Sequence, residues 1–186
     1  PGYLPYTFSE NLCNGKLAYA MYKKGWLVDV LSKVDEGPAY STEWTEPWLP
    51  LKKNNITITY PVGGKLTRMW DVLRSSVKLG MYPEGGVRWA CRAYELALKL
   101  CKENHYDAVL TRSPSDIPHI IGLRLKEKLG IRWIANWNDP AAPIWPEPYT
   151  HHFSAKEQAR RDQFTRMCLK GADVNTFPSQ SLLEHF

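Results

Sequence analysis

From residue 87 to residue 177 the sequence switches back and forth between two hydrophobic periods, and few folds accept that. Val87, Ala90, Cys91, Tyr94, Ala97, Leu98 and Cys101 fall on one side of a helix over Val87–Glu103, with Arg88, Arg92, Glu95, Lys99 and Lys102 opposite. Glu95 and Lys99 stand at the favourable i,i+4 spacing. Tyr106–Thr111 is a short apolar run, as a buried parallel strand requires. After the loop Arg112-Ser113-Pro114-Ser115-Asp116, Pro118 sits in the first turn of a helix that runs to Leu129 and stops at Gly130. Residues 131–137 read as a second buried strand, and 138–149, with four prolines, as an irregular loop. Ser154 and Glu157 form an S-x-x-E capping box that opens a helix ending at Gly171. Residues 173–177 are a further strand, and Ser179 caps a last helix. Alternation of helix and buried strand predicts a parallel sheet covered on both faces.

The first half repeats the rhythm. A helix near residues 10–24 stops at Gly25, a strand follows over 26–31, and a long loop over 33–53 carries Trp44 and Trp48. Ile56, Ile58 and Tyr60 alternate with polar residues as in a partly exposed strand, and a helix over 67–79 leads into the turn at 82–86. No internal repeat and no low-complexity tract interrupts this order. The fold class is therefore α/β: one Rossmann-like three-layer domain over residues 1–186 with a mostly parallel sheet. Such a domain ordinarily begins with a strand, whereas this chain opens on a loop that feeds a helix, and no Met precedes Pro1. The expectation is a piece of a longer protein whose first strand lies upstream of residue 1.

Several function classes fall away on composition and motif. No apolar run approaches the length of a membrane-spanning helix, and the first residues lack the charged and apolar segments of a secretory signal. Lys+Arg number 24 against 19 Asp+Glu, a net charge of +5, but the basic residues are dispersed. Nucleic acid is not favoured, while phosphate or an acidic membrane surface remains compatible. The four cysteines, Cys13, Cys91, Cys101 and Cys168, have no metal-ligand spacing and read as small buried thiols in a reducing compartment. His151-His152 lacks an acidic or Cys partner, so no metal is expected. No G-x-G-x-x-G, P-loop or G-x-S-x-G string occurs, which disfavours a dinucleotide enzyme, a P-loop enzyme and an α/β-hydrolase. Of the tryptophans, Trp26, Trp70, Trp89, Trp133 and Trp137 lie on regular elements and are expected in the core. Trp44, Trp48 and Trp145 lie in loops, where they stack on sugar faces or anchor the loop.

Open parallel sheets bind ligands at the carboxyl ends of their strands. That rule selects the loops at 1–8, 33–48, 111–117, 137–149 and 178–180, rich in hydroxyl, carboxylate, amide and aromatic groups that suit a sugar. Asp139 heads the candidates, with Asn138 beside it, at the end of an inferred strand; the bland alternative is an Asx turn before Pro140. Arg112 and Ser113 follow another strand, where a guanidinium meets phosphate or simply stays exposed. Asp116 and His119 occupy the next loop and first helical turn, His119 as a base or donor or as a half-exposed helix residue.

Three strings then carry a family resemblance. These are KKGWLVDVLS at 23–32, YDAVLTRSPSDIPHIIGLRLKEKLGIRWIANWNDP at 106–140, and KGADVNTFPSQSLLEHF at 170–186. Together they resemble the N-terminal domain of family 4-like glycosyltransferases, with Trp26 where that family commonly has His. The family has the GT-B architecture of two facing Rossmann-like domains. The resemblance implies transfer of a sugar from a nucleotide-sugar donor to an acceptor hydroxyl, commonly with retention and without a bound metal or other cofactor. It implies that this chain is the acceptor-side half and that the C-terminal donor domain is absent, leaving the piece inactive by itself. Asp139 matches the Asp of the family's Arg/Asn-Asp motif and would be the catalytic carboxylate. The loop holding Tyr6 and Thr7 occupies the place of the family's glycine-containing first loop, although only Gly2 is glycine in it. Ser9 and Asn11, which follow, also read as an ordinary helix cap and first-turn residue. Glu95 and Glu103 reproduce the family's E-x7-E spacing, but on an amphipathic helix outside its Pro/Gly-rich setting, a coincidence.

The implied partners are a nucleotide sugar and a saccharide or lipid-linked acceptor, in a cytoplasmic enzyme of surface glycan or glycolipid synthesis. Lys156, Arg160, Arg161, Arg166 and Lys170 on the helix 155–170 form a solvated face or touch anionic lipid at the inner face of the membrane. The alternatives from other classes are a non-catalytic glycan- or phosphate-binding module and an interaction scaffold.

Overall fold

The structure, a computed structural model, describes Tyr3 and residues 9–33, 52–56, 64–80, 87–112, 116–139 and 153–185; over 52–56 the description is of the backbone alone. Its elements are, in chain order, α1 (Ser9–Lys23), β1 (Asp29–Lys33), β2 (Lys52–Ile56), α2 (Lys65–Leu79) and α3 (Val87–Glu103). Then come β3 (Ala108–Arg112), α4 (Asp116–Leu129), β4 (Arg132–Asn136), α5 (Ala155–Gly171), β5 (Val174–Thr176) and α6 (Gln180–His185). The chain divides into two compact units, Pro1–Asp71 and Val72–Phe186.

In the first unit, α1 buries Asn11, Gly15 and Ala18, one side of a helix. It stops because Gly25 takes φ +85, a left-handed conformation that returns the Trp26 N–H to the Met21 carbonyl at 3.2 Å. Tyr3 and Ala18 form a small core with Leu12, Val28 and Val30 against it. β1 and β2 pair in parallel, Asp29 opposite Lys52 and Lys33 opposite Ile56. The pairing segments lie a few residues from the expected ones: β1 starts at Asp29 instead of residue 26, and β2 ends at Ile56, where the alternating pattern had begun. Trp26, expected in the core, is exposed in the turn before β1, and Cys13 is exposed on α1.

In the second unit, three parallel strands stand in the order β3-β4-β5. Their register pairs Arg112 with Asn136 and Asn136 with Thr176. Trp133, Ala135 and Trp137 lie on one side of β4 and its extension, and all are buried. α4 packs on that side. Its half from Ile117 to Leu123 is buried throughout, with Ile120, Ile121 and Leu123 among the core residues. Gly122 makes this approach possible: a Cβ there would run into Trp133 Nε1 and stand 2.8 Å from Thr111 Cγ2. α5 opens with the expected capping box, in which Ser154 Oγ accepts from the Glu157 N–H and the Glu157 carboxylate accepts from the Ser154 N–H. It turns Phe164 and Cys168 inward, and Gly171 lies against Leu123 and Trp133. Asp173, just before β5, accepts from the Trp133 N–H at 2.8 Å and pairs with Lys126 at 2.8 Å; these contacts hold its carboxyl below the usual range.

α3 buries Trp89, Ala90, Cys91, Ala93 and Ala97, close to the expected stripe. α2 meets it through Ser75 Oγ and Cys91 Sγ at 3.2 Å, and Arg74 and Lys78 both pair with Glu95. Trp70, expected in the core, is exposed. The architecture is thus α/β with a small, open, parallel sheet. Its second face, where Leu110 and Val174 are exposed, is not sealed by a helix layer among the described residues.

Candidate functional site

Three parallel strands of one sheet put their carboxyl ends on one edge, so the last residues of β3, β4 and β5 are neighbours by geometry alone. Each ends in a polar residue: Arg112, Asn136 and Thr176. Asn136 Nδ2 donates to Thr176 Oγ1 at 2.8 Å, while Asn136 Oδ1 is buried and has no hydrogen-bond partner among the described residues. Arg112 Nη2 donates to Asn138 Oδ1 at 2.6 Å, which ties the end of β3 to the segment that leaves β4. Asp139, the next residue, is half-buried.

The other side of the same edge is built differently. Thr111, one residue before Arg112, faces α4. Its Oγ1 accepts from Trp133 Nε1 at 2.7 Å and lies 2.8 Å from His119 Nδ1. The arrangement that uses the threonine hydrogen has Thr111 donate to Nδ1, which assigns the ring hydrogen to Nε2. The His119 ring rests against Trp137, centroids 4.3 Å apart and planes at 39°. It is only 1% exposed, and burial pulls its pKa down to about 3, so the imidazole is neutral at physiological pH. Its Nε2 has no hydrogen-bond partner among the described residues.

Two further bonds close the edge between β4 and β5. Trp137 N–H donates to the Thr176 carbonyl at 2.9 Å, and Trp137 Nε1 donates to Asn175 Oδ1 at 2.8 Å. Asn175 Nδ2 in turn donates to the Leu169 carbonyl at 2.9 Å, fixing the end of α5 to the same corner.

Of the residues singled out in the sequence, Arg112 and Asn138 are brought into direct contact, with Asp139 adjacent in the chain. His119 is near in sequence but belongs to the α4 side, neither half-exposed nor titrating near neutrality. Asp116 begins α4, with its side chain outside the described residues, as are Ser113, Tyr6 and Thr7 in full. Trp44, Trp48, Trp145, His151 and His152 also lie outside them. Asn11, expected as an ordinary first-turn residue, is buried, and its Nδ2 has no hydrogen-bond partner among the described residues.

Thr111, Asn136 and Thr176 went unnoticed in the sequence, although one signal pointed to them. Each consecutive apolar strand runs into a polar residue at its carboxyl end, and parallel register then aligns those residues. Among the described residues no group of acidic, His and Cys side chains is arranged to hold a metal, and no helix is long and apolar enough to cross a membrane. No family model, curated protein or solved structure matches the chain.

Proposed function

We propose that this chain is the acceptor-side half of a GT-B glycosyltransferase: a Rossmann-like three-layer domain of the kind its 106–140 segment resembles. The enzyme would move a sugar from a nucleotide-sugar donor to an acceptor hydroxyl in surface glycan or glycolipid synthesis, on the cytoplasmic side of a membrane. The observation that carries the reading is the Arg112–Asn138 bridge, which links the carboxyl ends of two parallel strands directly before Asp139. In this proposal the acceptor hydroxyl hydrogen-bonds the Asp139 carboxylate. The carboxylate takes the hydroxyl proton as the new bond to the anomeric carbon forms and the bond to the donor's phosphate oxygen breaks. The leaving nucleotide carries off that electron pair. Arg112 orients Asn138 and adds positive charge beside the acceptor, which suits an acceptor carrying phosphate.

The test is transfer by the full-length gene product from a panel of nucleotide sugars to saccharide and lipid-linked acceptors. Asp139→Asn keeps the shape of the side chain and removes its basicity; kcat is expected to fall by about 100-fold or more, with unfolding unchanged. Unaltered kcat in that variant removes Asp139 from the mechanism. Saccharide binding without transfer, measured on the same protein, replaces the enzyme with a binding module.

A further inference from the structure

Burying an amide commits both of its ends to partners, since neither the oxygen nor the nitrogen can fall back on water. Asn136, the last residue of β4, meets that requirement at one end only. Its Nδ2 donates to Thr176 Oγ1 at 2.8 Å, whereas its Oδ1 is buried with no hydrogen-bond partner among the described residues. The same bond leaves the Thr176 hydroxyl half used. Its oxygen receives the amide hydrogen, and its own hydrogen goes to no acceptor among the described residues. Both residues are half-buried and stand opposite each other at the carboxyl ends of adjacent strands, where a ligand of a parallel sheet arrives.

An unmet acceptor beside an unmet hydrogen is a selective combination. An ammonium ion brings hydrogens only, and the charge of Arg112, opposite Asn136 in the β3–β4 register, repels it. Phosphate or carboxylate brings lone pairs only, which suit Thr176 but leave Oδ1 facing another oxygen. A neutral hydroxyl does both: it gives its hydrogen to Oδ1 and takes the threonine hydrogen on its own oxygen. Alternation places Arg112, Asn136 and Thr176 on the same face of the sheet. Asn138, two residues beyond Asn136, bonds Arg112 at that end, so the pair lies beside the bridge that precedes Asp139.

We infer that Asn136 and Thr176 together hold one hydroxyl of the saccharide, Oδ1 accepting from it and Thr176 Oγ1 donating to it, and thereby determine which sugars this edge takes. The assignment rests on reading the β3–β5 edge as a saccharide site, and it concerns which sugar is held, not how the new bond is made. A buried oxygen that finds its donor only in the ligand discriminates well, because an analogue without that hydroxyl leaves it unmet.

Calorimetry on the whole chain tests this with the methyl glycosides of glucose, galactose, mannose and N-acetylglucosamine, then with each monodeoxy derivative of the tightest binder. One monodeoxy derivative is expected to bind at least about tenfold more weakly than its parent sugar. Asn136→Leu is expected to weaken the parent sugar by a similar factor and to abolish the difference between it and that derivative. Asn136→Asp keeps an acceptor oxygen in place and is expected to recover most of the loss. Thr176→Val, isosteric at the neighbouring strand end, is expected to lose binding as Asn136→Leu does, and carries the test if the leucine variant fails to fold. Variants that still distinguish the deoxy derivative as the parent protein does overturn the inference, as does failure of all four glycosides to bind. Sugar transfer reads out separately. Unaltered kcat in Asp139→Asn removes the catalytic reading and leaves the hydroxyl-binding pair standing, whereas unchanged discrimination alongside active transfer removes the pair alone.

Discussion

In water an imidazole takes up a proton near pH 6.5. His119, with Thr111 on Nδ1 and Trp137 against its ring, does so only at about 3. Between those values the unfolded chain holds one proton more than the folded chain. Acidification therefore favours unfolding, by about 1.4 kcal/mol per pH unit below about pH 6. Urea unfolding of the parent and of His119→Gln, followed from about pH 7 to pH 4, is expected to show this slope in the parent and a shallower one in the variant. Equal slopes would mean that His119 is not held neutral in the folded chain. The residue's position in the first turn of a helix suggested partial exposure. What the sequence did not convey is that Ile117, Ile120 and Ile121 surround it on a helix buried on nearly every side. Arg112 and Asn138 were legible because strand ends of a parallel sheet must meet, but the hydrogen bond between them depends on side-chain reach, which no spacing rule supplies.

Elements were more legible than residues, and the reasons are local. α3 spans the residues its periodicity indicated, and the Ser154–Glu157 box opens α5 because a short-range side-chain bond needs no tertiary help. β1 and β2 moved by several residues, since a short parallel pair is chosen by its partner as much as by its own pattern. α2 was expected as a helix and is one, but periodicity alone does not say which side faces the core. Gly122 in α4 is where two energetic effects oppose each other. Alanine there gains roughly 1 kcal/mol of helix propensity. Its methyl would meet the Trp133 indole and Thr111 Cγ2 at distances no real contact shows, and neither group has a flexible end to swing aside. Overpacking of this kind costs typically 1–3 kcal/mol or more, so Gly122→Ala is expected to destabilise the protein by about 1–2 kcal/mol net in urea unfolding.

For the whole molecule, the parallel pairing of β3, β4 and β5 was legible in the alternation of helix and buried strand, whereas their order in the sheet was not. The two compact units did not follow, because a boundary inside α2 leaves no glycine, proline or charge run at the surface of the sequence. Nor did the exposed Leu110 and Val174: short apolar strands read as buried on both faces whether or not a second layer covers them. The second unit is organised instead around one side chain. Trp133 donates to Thr111, receives α4 through Gly122 and lies against Gly171 of α5, while its main chain accepts from the Asp173 N–H and donates to the Asp173 carboxylate at the entry to β5. Truncation to alanine should cost about 3–5 kcal/mol and leave a void shaped like the missing bicycle. A flat heteroaromatic of the same outline, added free in solution, would find its hydrogen-bond acceptor already waiting on Thr111. Trp133→Ala is therefore expected to melt at a temperature that climbs with dissolved indole, whereas the parent ignores it, so that the folding of this protein could be switched by a small molecule.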